Sequence, residues 1–292
     1  MDTTKPNFRR IGRGFCGSVW AVDRVGNSCA MKRGDGGPGR SVRKDYDFHL
    51  RALASLASIH QLSPSDYEEH SSSSQPTPHI QIPHCHSLIP SEDKDWWNRR
   101  LQRFPKTHSP CDILITERIQ PLSQPVRQLF IDKFCSKATT RPNPRFSLRN
   151  YPLHIDQMEE IGGLDTRAYA RTMGEALATM HWSANIDAND VEFANTFSLT
   201  TLGEHSIWML DFDCCNTMTM DEAGVEQAVA AFFRNDPFYP RPGSDYPHDK
   251  ILWDEFRTQY LETSAILLAN YNSLQRLPDF SEGEMEETKA ML

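Results

Sequence analysis

Gly12-Arg13-Gly14-Phe15-Cys16-Gly17-Ser18-Val19 sets three glycines and a valine in the order G-x-G-x-x-G-x-V, between two runs that read as strands. A hairpin built on Gly12, Gly14 and Gly17 and continued by Val19 offers bare backbone that can close over phosphates. The same glycines leading into a helix would instead suit a dinucleotide. Trp20-Ala21-Val22-Asp23 continues as strand and favours the hairpin. Ala30-Met31-Lys32 then brings a lysine at the spacing that reaches α and β phosphates. A lysine so used wants an acidic partner on the following helix. Asp45 and Asp47 are both available, and Asp45 is preferred because its neighbour Tyr46 belongs to the apolar face of that helix. Glu117, near the end of the strand-rich portion, joins Gly12, Gly14, Gly17, Val19, Lys32 and Asp45 as a nucleotide-binding candidate.

Phosphoryl transfer also needs a carboxylate near the acceptor hydroxyl and oxygen ligands for magnesium. In Ile186-Asp187-Ala188-Asn189-Asp190-Val191-Glu192-Phe193, Asp187 and Glu192 keep the offset of D-x-x-x-x-N, with glutamate in place of the amide. Trp208-Met209-Leu210-Asp211-Phe212-Asp213 is an apolar strand running into an acidic turn, close to D-F-G with aspartate in place of glycine. The expected assignment makes Asp187 and Lys32 catalytic and makes Asp211, Glu192 and Asp213 the magnesium ligands, with ATP in the cleft. The plainer alternatives are turn or loop residues for Asp213, Asp187 and Asp190 and a solvated strand residue for Lys32. His181-Trp182, at a helix end, is assigned to packing.

Around these residues the chain is ordinary: 292 residues, 38% hydrophobic, with a formal net charge of −8. That charge argues against nucleic acid held on a broad basic surface. No stretch has the apolar length of a membrane span, and Met1-Asp2-Thr3-Thr4-Lys5-Pro6 lacks the apolar core of a secretory signal, so a cytoplasmic protein is expected. Seven cysteines, odd in number and scattered, point to reduced thiols. His84-Cys85-His86 invites zinc, but alternate residues of a strand face opposite ways and no second ligand pair stands at a suitable spacing.

The elements that must position the candidates fall into two portions. Strand-like runs over 8–32 turn at Gly26-Asn27, glycines break the chain over 34–39, and a helix suits 41–60, with Ser41 as N-cap and Val42, Tyr46, Leu50, Leu53 and Leu56 on its apolar face. Residues 63–78, with four consecutive serines, read as a mobile insertion. Strands follow over 80–89 and 111–119, separated by a charged, Trp-containing excursion over 91–110. Beyond Pro121 and Pro125, helices are expected over 126–134, 166–182, 222–234 and 251–270, with strand-like sequence over 193–212. The fold class is therefore α+β in two lobes. An antiparallel-sheet N-lobe with one main helix spans 1–120, and a helical C-lobe spans 121–292.

Ala178-Thr179-Met180-His181-Trp182, the run from Ile186 to Phe193, Leu210-Asp211-Phe212-Asp213 and Asn235-Asp236-Pro237-Phe238-Tyr239-Pro240-Arg241-Pro242 together resemble a fungal domain family of unknown function whose members are sometimes labelled zinc-finger proteins. The wider likeness is to protein kinases and to aminoglycoside- and choline-kinase-like phosphotransferases. The first resemblance implies a fungal source, and the wider one a two-lobed kinase-like fold. Neither H-R-D nor H-G-D precedes Asp187, the D-F-G glycine is absent, and no A-P-E follows. Three readings result: a phosphotransferase acting on a small molecule of secondary metabolism, a pseudokinase-like nucleotide-binding module working through protein partners, and a kinase-like cleft turned to acid-base chemistry on a metabolite.

Overall fold

The structure is a computed structural model that describes residues 7–22, 28–62, 79–134, 155–161, 164–196, 206–235, 239–243 and 245–275. The turn at Gly26-Asn27 and the insertion over 63–78 lie outside the described residues. β1 (Phe8–Arg13), β2 (Ser18–Val22) and β3 (Cys29–Arg33) form an antiparallel meander, which β6 (Ile113–Glu117) and β5 (Cys85–Ile89) extend in the order β1-β2-β3-β6-β5. Every pairing in this sheet is antiparallel.

One face of the sheet is closed by the charged, Trp-containing excursion over 91–110. Asp93 caps α2 (Lys94–Arg100) by accepting from the Trp96 amide at 2.9 Å. α2 and the 3₁₀ turn that follows it bring Trp96, Trp97 and Phe104 onto Phe8, Trp20, Met31 and Ile113. Arg33 is buried in this cluster at 1% exposure, with its guanidinium over Phe104 and Trp97. It donates to Asp35 at 3.2 Å and to the Ser109 carbonyl at 2.7 Å, so the buried charge is paired.

α1 (Val42–Leu62) packs against β5 and β6 of this sheet. Ser41 accepts from the Lys44 amide at 3.2 Å, the capping bond that its position predicts. The buried stripe is Val42, Phe48, Ala52, Leu56 and Ile59, while Leu50, expected on the apolar face, is exposed. The stripe is rotated because α1 must meet the larger core and present Asp45 and His49 inward at the same time.

The second sheet has the order β4-β8-β7, from β4 (His79–Gln81), β7 (Glu192–Thr196) and β8 (Ser206–Leu210). β4 runs parallel to β8, with Ile80 opposite Ile207. The single strand expected over 80–89 is therefore two strands in different sheets. Pro83 lies between them, and its carbonyl accepts from His49 Nε2 at 2.6 Å instead of joining a ladder. The boundary expected at residue 120 thus does not separate the sheets, since β4 comes from the first portion.

The remaining helices are α3 (Gln124–Phe134), α4 (Ile155–Ile161), α5 (Thr166–Ala178), α6 (Glu222–Arg234) and α7 (Pro247–Gln275). α4 has no counterpart in the sequence reading. α5 continues into a π-helical turn over Thr179–Ser183 and packs along α7. Gly174 permits that approach, because a Cβ there would stand 2.4 Å from the Phe256 carbonyl oxygen. His181 and Trp182 take up packing positions: His181 Nδ1 lies 2.9 Å from the Tyr260 hydroxyl, and Trp182 Nε1 donates to Ser264 at 2.7 Å. The architecture is α+β, with an antiparallel five-stranded sheet and, among the described residues, seven α-helices. None of those helices is long and apolar enough to cross a membrane.

Candidate functional site

The glycine run is a hairpin between β1 and β2, with Gly12 opposite Val19, Arg13 opposite Ser18, and the Gly14 amide donating to the Gly17 carbonyl at 2.9 Å. Gly17 has φ +144°, and a Cβ there would meet the Arg33 carbonyl oxygen at 1.9 Å, so glycine is obligatory. A Cβ on Gly14 would meet nothing within 4 Å, which leaves open space at the tip. Phe15 is 84% exposed, and Cys16 turns inward and is buried.

Alternation along β3 sends Met31 and Arg33 into the aromatic cluster and Lys32 to the opposite face. Lys32 Nζ lies 2.5 Å from Asp45 Oδ2 and 2.5 Å from Asp211 Oδ1, with Asp213 Oδ1 at 4.0 Å. Asp45 stands in the first turn of α1, where the helix dipole favours a carboxylate, and its Oδ1 accepts from the Phe212 amide at 3.1 Å. The preference for Asp45 over Asp47 agrees with this geometry, because Asp47 is exposed. Asp211 directly follows β8 with φ +70°, a left-handed turn that brings its carboxylate and that of Asp213 to Lys32.

Cys16 donates to Asp213 Oδ1 at 2.7 Å and lies 3.5 Å from Asp211 Oδ1. Among the described residues, Cys16, Asp211 and Asp213 are the one group of three His, Cys, Asp or Glu side chains whose ligand atoms lie within 4.8 Å of one another. Burial opposes the charge on Lys32, but Asp45 and Asp211 outweigh it and hold the ammonium well above the usual lysine range. Burial would raise Asp211, yet Lys32 overrides it and keeps that carboxyl below the usual range. Asp213 is pushed up by burial and by its hydrogen bond to Asp211, and Cys16 is pushed up chiefly by burial. Lys32 and Asp211 thus hold their charges against burial, while the upward shifts on Asp213 and Cys16 favour their protonated forms. The carboxylate oxygens of the cluster suit a hard divalent cation, and a protonated thiol adds little to such a site.

Two expected residues stand elsewhere. Asp187 is buried, and four donors saturate its carboxylate: the Asn189 and Asn216 amides at 3.2 and 2.8 Å on Oδ1, and the Asn216 and Gln227 side chains at 3.0 and 2.9 Å on Oδ2. It braces the loop against the residues after Asp213 and against α6, and has no oxygen left for an acceptor's proton. Glu192 opens β7 opposite Leu210 and is not part of the ligand group. Glu117 Oε2 accepts from the His84 amide at 3.1 Å, at the Cys29 end of β3 and away from Lys32, which pairs with Leu114.

On sequence grounds alone, Asp190, Arg40 and Cys16 receive no site role. Arg40 Nη1 reaches Asp213 Oδ2 and Asp190 Oδ2, each at 3.2 Å, and also contacts Cys214 Sγ. The Asp190 side chain is 52% exposed, and its backbone is pinned by its N–H, which donates to Asn235 Oδ1 at 2.6 Å. Arg51 fixes the same loop to α1 by donating to the carbonyls of Ala184 and Asn185. Asn185, Ala188, Asp190 and Asp211 all have positive φ, each at a cost of roughly 1–2 kcal/mol. Such strain gathers where a structure over-determines its backbone around a site.

The family model DUF3669, described as a zinc finger protein, matches residues 207–272, which run from β8 through the Asp211 turn and α6 into α7. No curated protein matches the chain. A tetrahedral zinc site of the finger type takes four Cys or His ligands. The matched segment holds only Cys214, Cys215 and His248, and His248 is engaged with Glu159.

Proposed function

We propose that this chain is a two-lobed, protein-kinase-like protein that binds ATP with magnesium and transfers a phosphoryl group to a small molecule. The observation that carries the reading is Lys32, held at 2.5 Å by both Asp45 and Asp211 on the sheet face beside the glycine hairpin. In this reading Gly12, Gly14 and Gly17 lend their backbone to the phosphates, Val19 flanks the base, and Lys32 meets the α and β phosphates. Asp211 and Asp213 would hold the magnesium, which would supply positive charge against the phosphate oxygens. Asp190 takes the proton-accepting role first given to Asp187, because it is the accessible carboxylate beside the cluster. The acceptor's oxygen bonds to the terminal phosphorus, its proton passes to Asp190, and ADP leaves. Catalysis then rests on positioning and charge neutralisation. In this reading the acceptor is a small molecule of secondary metabolism.

A second reading, nucleotide binding without transfer, draws support from Asp187, whose saturated carboxylate is a bracing element. Calorimetry with ATP, with and without magnesium, tests the shared part on the natural chain, Lys32→Ala and Asp211→Asn. Magnesium-dependent binding weakened at least tenfold by either change is expected, and no binding under any condition sinks both readings. A metabolite product heavier by one phosphoryl group, lost in Asp190→Asn while ATP still binds, separates the first reading from the second.

A further inference from the structure

We propose that His84 and His86 form a surface site for a divalent first-row transition-metal ion, held by the two imidazoles and completed by water. The pair belongs to the run at the start of β5 that invites a metal by its composition and offers no second ligand pair by spacing. Two residues apart, the histidines share a face of the sheet. Cys85 between them turns to the other face, where burial and then the charge of Asp45 push its thiol up. A regular strand would hold the two side chains about 6.5 Å apart at their roots. Here a bulge falls between Cys85 and Ser87 and re-aims His86, and the ring centroids converge to 4.9 Å at an interplanar angle of 71°.

That separation suits one shared ion. Imidazole nitrogens about 2.0–2.1 Å from a metal, at angles of roughly 90–110°, set their ring centroids about 4.5–5.2 Å apart. Both histidines are exposed, and among the described residues neither ring has a hydrogen-bond or ion-pair partner, so their last torsions can turn a nitrogen of each to the ion. The backbone beneath them is fixed. The Glu117 amide donates to the His84 carbonyl at 2.7 Å, the His84 amide donates to Glu117 Oε2 at 3.1 Å, and the Pro83 carbonyl is engaged by His49. Glu117 also sets a negative charge at the root of His84, which favours a cation there. Imidazole suits nickel, copper and zinc, whereas magnesium takes oxygen, so this site is independent of the cleft and of the function proposed for it. It also lies outside residues 207–272, which the family model matches.

Nickel(II), which leaves thiols unoxidised, is the probe, with magnesium beside it, on the full chain. Histidine carbethoxylation, resolved by residue in tandem mass spectrometry, reports occupancy without any substitution. Nickel is expected to slow modification of both His84 and His86 several-fold and to leave His108 unchanged, and magnesium is expected to slow neither. In His84→Ala the nickel concentration that half-protects His86 should rise at least tenfold, and His86→Ala should do the same to His84. The protection should persist in Cys85→Ala and in Asp211→Asn. Protection of one histidine alone, or of neither, overturns the proposal. So does an unchanged half-protecting concentration in either histidine variant, or protection lost with Cys85 or Asp211. Should a variant fail to fold, the carbethoxylation rates of the natural chain decide.

Discussion

Asp45→Asn isolates the charge of one carboxylate while keeping the oxygen that accepts from the Phe212 amide. At 2.5 Å, unit charges in an effective dielectric of about 20 attract by roughly 7 kcal/mol. Desolvation offsets most of this, the Asp45 and Lys32 side chains being 3% and 17% exposed. Stripping one member from a buried pair costs about 3–5 kcal/mol when the survivor is left alone. Lys32 is not left alone, because Asp211 stays at 2.5 Å, so the expected loss is nearer 2 kcal/mol. Urea unfolding followed by tryptophan fluorescence reads it as a lower midpoint at unchanged slope. Asp47→Asn, at an exposed position of the same helix, should stay within about 0.5 kcal/mol. A cycle with Lys32→Met should return a coupling of at least about 1 kcal/mol. Equal losses at Asp45 and Asp47, or zero coupling, would refute the claim that Lys32 and Asp45 form the anchor of the cleft.

Gly17→Ala should destabilise the hairpin by more than about 2 kcal/mol, because the new Cβ meets the Arg33 carbonyl oxygen, whereas Gly14→Ala should leave the midpoint nearly unchanged; urea midpoints of the two variants decide. His181, fully enclosed, is drawn down to about 4 by burial, and His49 is lowered for the same reason. A histidine whose folded pKa lies below its unfolded value adds stability that is present at neutral pH and is lost as pH falls from about 6.5 towards the folded value. The chain should therefore lose about 3 kcal/mol to His181 between neutral pH and about pH 4, and His181→Gln should flatten that slope in urea titrations run across the range. Asp187→Asn keeps one acceptor oxygen but turns the other into a donor facing the Asn216 and Gln227 amides, so it should cost about 2 kcal/mol in the same assay.

The glycine hairpin, Lys32, Asp45 and Asp211 were legible in the sequence because each rests on local order: glycines at fixed intervals, a strand face, the first turn of a helix, the end of a strand. Asp187 and Glu192 stand outside the cluster that the sequence placed them in, because an offset of five says nothing of which way a carboxylate points. The donors that saturate Asp187 come from Asn216 and Gln227, far along the chain. Arg40 had a faint signal, a lone cation closing a glycine-rich break, and Cys16 had none beyond its place inside the hairpin. The run over 80–89 looked like one strand because Ile, His and Cys suit either sheet; only the missing donor of Pro83 hinted that the chain changes partners there. Trp96 and Trp97 read as part of a charged excursion because five of the seven α2 residues are polar or charged, although the two indoles close the sheet.

The parallel pairing of β4 with β8 sets an order on the birth of the molecule. Ile80 leaves the ribosome long before Ile207, and at about 5–20 residues per second the delay is on the order of ten seconds. The five-stranded sheet needs nothing beyond Glu117, so its ladder can close while the second half is still being made. Throughout that interval β4 carries unpaired backbone donors and acceptors, as an edge strand does. A nascent chain stalled before Ser206 therefore holds a finished first sheet beside a three-residue strand, His79-Ile80-Gln81, with no neighbour, and that strand is where chaperones or stray β-pairing should find it.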